Sequence, residues 1–174
     1  YTNLVKEGSK GDTTHWQSNA RGVDINHNFD ADWEKLRNKE IKAGILGPAS
    51  TRFGGYRPES EPETLALTEL CRTVNIRQAA ALHSQGEVIY WSYGETVPPR
   101  SKKMAEIMAT SSGYALDVPT GIADGGGFKD WFITEFCRPG FTIELGLGKN
   151  PLPAADAERI YEQVKEMLML FIMM

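Results

Sequence analysis

Three short runs of strand-like residues, with helical patterns before the first, between the second and third and after the last, constrain its fold more than any other feature. They are Ala79-Ala80-Ala81-Leu82, Val88-Ile89-Tyr90-Trp91 and Phe141-Thr142-Ile143-Glu144-Leu145. Each is too short for a buried helix, and the second and third are rich in β-branched and aromatic residues. Ahead of the first run, residues 61–75 predict a helix. Ser60 is its candidate N-cap, Glu63 closes a capping box, and Pro62 sits in the first turn, where its missing N–H costs nothing. Residues 100–112 predict an amphipathic helix stopped by Gly113, and residues 129–136 a further helix. Residues 154–174 predict a long one with Ile160, Val164, Met167, Leu168 and Phe171 on one face. Short strands alternating with helices imply an α/β fold, a mixed central sheet flanked by helices, with residues 1–174 forming one domain.

Less order is expected earlier in the chain. Residues 1–19 are polar and turn-rich, residues 22–26 read as the end of a short strand, and the stretch to residue 59 reads as loops with one helix over residues 33–39. Lys and Arg are scattered and the formal net charge is -4, so the basic stripe that nucleic acid requires is missing. The most apolar run, residues 167–174, is far short of a membrane span. Cys71 and Cys137 lack CxxC spacing, which argues against a cysteine metal site or a disulfide framework and for buried or partly buried thiols. The chain opens at Tyr1 with neither an initiating Met nor a leader pattern, which predicts that its natural beginning is missing.

In layered α/β domains the chemistry collects at the carboxyl ends of the strands. His83 follows the first apolar run and suits a metal ligand, an acid or base, or a half-buried polar residue. Glu144 stands between Ile143 and Leu145, where an unpaired carboxylate is costly and its pKa tends to rise; a purpose, a cationic partner or a solvated strand end would each account for it. Asn26-His27-Asn28-Phe29-Asp30 offers several polar groups, with His27 and Asp30 at i, i+3, or else forms a polar turn. Gly126-Gly127 lacks the Gly-Lys-Ser/Thr or GxGxxG companions of a phosphate loop.

Taken in order, four segments resemble those of the M14 zinc carboxypeptidases. Residues 19–29, Asn-Ala-Arg-Gly-Val-Asp-Ile-Asn-His-Asn-Phe, resemble the asparagine-arginine motif that binds the substrate carboxylate. Ser60-Glu61-Pro62-Glu63-Thr64 resembles the family's helix opening, Leu82-His83-Ser84 the strand of the third zinc ligand, and Phe141-Thr142-Ile143-Glu144-Leu145 the strand of the catalytic glutamate. Residues 83–91, 127–133, 138–144 and 150–153 are similar to the bacterial branch that cleaves γ-D-glutamyl-diamino acid bonds in peptidoglycan stem peptides.

This resemblance implies one zinc ion with His83 among its ligands, Glu144 as the catalytic carboxylate, and Asn26, His27, Arg21 and Lys129 as substrate-binding residues. The substrate would be a peptide or a peptidoglycan stem peptide. The chain departs from the family pattern at three places. No His-x-x-Glu occurs, so two further zinc ligands are expected from residues absent from this chain. His27 and Gln17 stand where arginines are usual, and neither neutral side chain replaces a bidentate guanidinium. Ile122 falls near the place of the mobile-loop tyrosine; Arg21 or Lys129 would then supply positive charge, and Lys129 lies where the family selects the substrate side chain. A relative with impaired catalysis, binding peptides or cell-wall fragments, is the rival reading.

Overall fold

The computed structural model describes residues 15–95 and 97–174, and within this span the chain divides into two compact units. The first unit takes in the chain up to Ile76 together with Thr120–Trp131; the second comprises Arg77–Pro119 and Phe132–Met174.

Helix α1, Trp33–Lys42, and helix α2, Pro62–Thr73, belong to the first unit. Residues 22–26 do not end a strand as expected: Ile25–His27 is a single 3-10 turn. The backbone instead serves turn bonds there, with His27 N–H donating to Asp24 O and Asn28 N–H to Ile25 O. Ser60 is not the cap of α2 either. Glu61 occupies that position, because the Ser60 hydroxyl donates to Glu61 Oε1 at 2.9 Å and accepts from Asn28 Nδ2 at 2.9 Å. Asn28 is fully buried and spends all its capacity on structure, donating also to Gly54 O and Arg57 O and accepting from Glu61 N–H. The core of this unit is aromatic: Phe29 packs 5.5 Å from Phe128 and 5.9 Å from Trp131, ring centre to ring centre.

Gly126 joins the Gly-rich segment to this core by exchanging backbone bonds with Phe29 and Ala31. Its φ is +70°, and a Cβ there would lie 2.2 Å from Leu36 Cδ2, so only glycine fits on both counts.

The second unit is built on a four-stranded sheet in the order β1-β4-β2-β3, where β1 is Ala79–His83, β2 is Val88–Tyr90, β3 is Ala115–Asp117 and β4 is Gly140–Glu144. The sheet is mixed, as expected: β1 runs parallel to β4, β4 antiparallel to β2, and β2 parallel to β3. Because side chains alternate across a strand, Phe141, Ile143, Ile89, Leu116 and Ala80 share one face. Two helices cover that face, α3, Ser101–Ser112, and α5, Ala157–Met173, which contribute Met104, Ala105, Met108, Val164 and Met167 to one core cluster. A short helix α4, Phe128–Phe136, precedes β4 in the chain.

Cys71 is buried as expected, but Cys137 is exposed. Cys137 follows α4 in the left-handed conformation, φ +48°, and its N–H closes the helix on Ile133 O, so its side chain is turned away from the core. Among the described residues no helix is long and apolar enough to cross a membrane.

Candidate active site

The opposite face of the sheet carries the polar side chains. His83 and Glu144 are the last residues of β1 and β4, adjacent parallel strands, and they are register partners. Register partners project to the same side, so both leave the sheet from one face at its carboxyl edge. The turns that follow are tied together. Leu145 N–H donates to His83 O at 2.8 Å, Gly86 N–H to Gly146 O at 2.7 Å, and Ser84 Oγ to Asn150 Oδ1 at 3.0 Å, while Asn150 Nδ2 returns a bond to Ser84 O at 2.6 Å. These bonds hold the backbone on either side of the two side chains in fixed relation.

Burial pushes the Glu144 carboxyl up to about 7. A carboxylate ordinarily ionised well below neutrality is thus poised where it can take and return a proton near pH 7. Tyr90 shares the face, and its phenol is pushed up first by burial and then by the negative charges of Glu144 and Asp117. Tyr90 was read as a strand former alone. Its alternation with Val88, the register partner of Glu144, is the signal that puts it on the polar side.

The remaining candidates lie in the first unit. Asn26 Oδ1 accepts from Phe128 N–H at 3.0 Å, a side-chain bond to the first turn of α4. His27 directs Nδ1 at Glu40 Oε1, 2.9 Å away. Lys129 is only 4% exposed and its ammonium is bound to the carboxylate of Asp130, whose pKa burial raises against the pull of that ammonium. Arg21 has 64% of its side chain open to solvent and sits 3.6 Å from Glu61. Asp30 is exposed and His27 faces Glu40, so the i, i+3 pair does not converge.

Among the described residues no three His, Cys, Asp or Glu side chains gather as a metal site. The set present therefore does not fit a complete catalytic zinc site, which needs three protein ligands and an open position.

A family profile described as zinc carboxypeptidase, peptidase M14, matches residues 4–168. The chain belongs to the M14 zinc carboxypeptidase family. It is 40% identical over 151 residues to gamma-D-glutamyl-L-diamino acid endopeptidase 1 of Lysinibacillus sphaericus, an alignment covering 85% of this chain and 36% of that protein. Carboxypeptidase A of Helicoverpa armigera superposes with a TM-score of 0.65 at 20% identity, over 85% of this chain and 40% of that one. Murein-tripeptide amidase of Escherichia coli O157 superposes with a TM-score of 0.56 at 22% identity, over 86% and 59%. These structural likenesses bear on the fold. The chain spans well under half the length of that endopeptidase.

The raised Glu144 pKa predicts how the metal-free M14 chain responds to pH. Its folded value, about 7, lies above the 4.5 of an unfolded glutamate, so the folded state holds the proton more tightly. The resulting stabilisation is complete below the unfolded value and is lost as pH rises through the folded one. Unfolding in denaturant across that window should show the wild type losing stability relative to Glu144→Gln. Parallel curves for the two proteins would mean that Glu144 is solvated.

Proposed function

We propose that this chain forms the part of a zinc-dependent peptidase that carries the general base, acting on γ-D-glutamyl-diamino acid bonds such as those of peptidoglycan stem peptides. The observation that carries the reading is the pairing of His83 with Glu144 at the carboxyl edge of one sheet, with the carboxyl pushed to about 7. The 40% identity to an enzyme named for that bond favours this substrate over a plain C-terminal residue.

In this reading Glu144 takes a proton from the attacking water and returns it to the leaving amine. Proton transfers of that kind contribute about 10²–10⁴-fold in rate. His83 would offer one imidazole to zinc, the further ligands of such a site would have to come from outside these 174 residues, and the metal would supply Lewis-acid polarisation of the carbonyl. Asn26, His27, Arg21 and Lys129 are assigned to substrate. His27 replaces the usual arginine, which weakens the grip on a terminal carboxylate and suits a substrate that is not read chiefly through one. Lys129 contributes a positive charge already balanced by Asp130, so its share is a hydrogen bond more than a free charge.

The test is to supply the zinc-loaded full-length polypeptide with a γ-D-glutamyl-meso-diaminopimelate peptide and with a hippuryl amino acid, following the released amines. Cleavage of the first and neglect of the second is expected. The opposite preference would assign the site to an ordinary carboxypeptidase.

A further inference from the structure

Outside the His83–Glu144 edge, a fully buried carboxylate stands in the first unit: Glu40, in the last turn of α1, with no exposed surface. Its two oxygens are used differently. Oε2 accepts from Arg37 Nη1 at 3.0 Å and from Gly54 N–H at 3.2 Å. Oε1 faces His27 Nδ1 at 2.9 Å. Arg37 is itself committed to structure, donating to Ile45 O and Leu46 O and lying over the Phe53 ring at 4.9 Å. Its charge therefore stays at Glu40 and balances it. Gly54 completes the fit, since a Cβ there would come 2.5 Å from His27 O and 3.0 Å from Glu40 Oε1.

A carboxylate only accepts, so the proton on this contact belongs to His27 Nδ1. In the neutral ring the second nitrogen, Nε2, is then a bare lone pair. It has no partner among the described residues, and 13% of the side chain is open to solvent. Such a ring offers an acceptor, which matches an ammonium or an N–H rather than a carboxylate.

We propose that Glu40 is a positioning residue that selects the Nδ1–H tautomer of the His27 ring, so that Nε2 receives the free ammonium of a diamino acid. The ligand half rests on the peptidase reading above; the tautomer half does not. A buried carboxylate with three donors is a structural feature by itself, so the test must read the ring.

Glu40→Gln gives the two ideas different outcomes. The amide oxygen would stay with the two donors at Oε2 and turn its NH2 toward His27, which could then only accept at Nδ1. The ring proton should move to Nε2. Two-bond 1H–15N spectra of 15N-histidine protein at mildly alkaline pH distinguish these tautomers, with His27→Gln used to assign the signal. The wild type should show Nδ1–H and Glu40→Gln should show Nε2–H, with the rest of the spectrum unchanged. Nε2–H in the wild type, or Nδ1–H kept in a folded Glu40→Gln, overturns the assignment. If Glu40→Gln does not fold, the wild-type spectrum still decides it.

For recognition the probes are γ-D-glutamyl-meso-diaminopimelate and its 2-aminopimelate analogue, identical except for the missing amine. The diamino peptide should bind the wild type about tenfold more tightly, as expected when one hydrogen bond to a charged group is gained. The ratio should fall to near one in Glu40→Gln. Equal binding by the wild type sinks the recognition half. A retained preference without hydrolysis in the zinc-loaded protein would instead sink the peptidase reading and leave the role of Glu40 intact.

Discussion

Replacing Glu144 by Gln is expected to lower hydrolysis by about 10²–10⁴-fold while leaving fold and zinc content nearly unchanged, because Gln keeps the shape but cannot take a proton. Stability near neutral pH should rise slightly in the same variant, since burial disfavours the ionised carboxyl and has pushed it up to about 7. A catalytic loss accompanied by a gain in stability is the signature of a group held at a cost for its chemistry. His83→Ala should behave differently, losing metal and activity together, because it removes a side chain that can ligate. Metal analysis beside a steady-state assay of the full-length polypeptide separates the two. If Glu144→Gln kept most of its turnover on a γ-D-glutamyl-diaminopimelate peptide, the strand carboxylate would have a structural role.

Phe141→Ala is expected to destabilise the second unit by about 3–5 kcal/mol, enough to threaten folding of a marginally stable domain. Phe141 is fully buried in the central strand β4 and meets Phe171 edge to face at 6.0 Å, so truncation empties a volume that sheet and helix cannot both close. Leu82 supplies the control. It lies on the edge strand β1 on the same face and is 51% exposed, so Leu82→Ala should cost much less. Denaturant midpoints at unchanged slope would measure both. Equal losses would mean that the sheet's edge is packed as tightly as its centre.

The strands that hold the site were legible because their chemistry is anomalous. A histidine ending an alanine run and a glutamate inside Phe-Thr-Ile-Glu-Leu are costly choices in apolar segments, and the structure sets both at one sheet edge. The pairing order was not legible, since β4 inserts between β1 and β2 by contacts far apart in the chain, which local pattern does not encode. Strand β3 escaped notice because Ala115-Leu116-Asp117 carries one large apolar residue. Glu40 escaped because the expected helix stopped at residue 39, whereas α1 runs to Lys42 and turns Glu40 inward beside Arg37. Ser60 was misread as a cap because a capping box in sequence says nothing of a buried Asn28 competing for the hydroxyl.

The sheet order has a consequence for biosynthesis. Strand β4, one of the two inner strands, is the last of the four to leave the ribosome, and both its neighbours, β1 and β2, are made well before it. Until β4 emerges, β1 has no partner among the described strands and β2 pairs with β3 alone. The contact that brings Glu144 beside His83 also closes a long loop, whose entropy is lost before any ladder bond compensates it. Nascent chains ending before residue 140 therefore lack the strand that joins β1 to β2, and the sheet and the His83–Glu144 pair are completed together in a single late event.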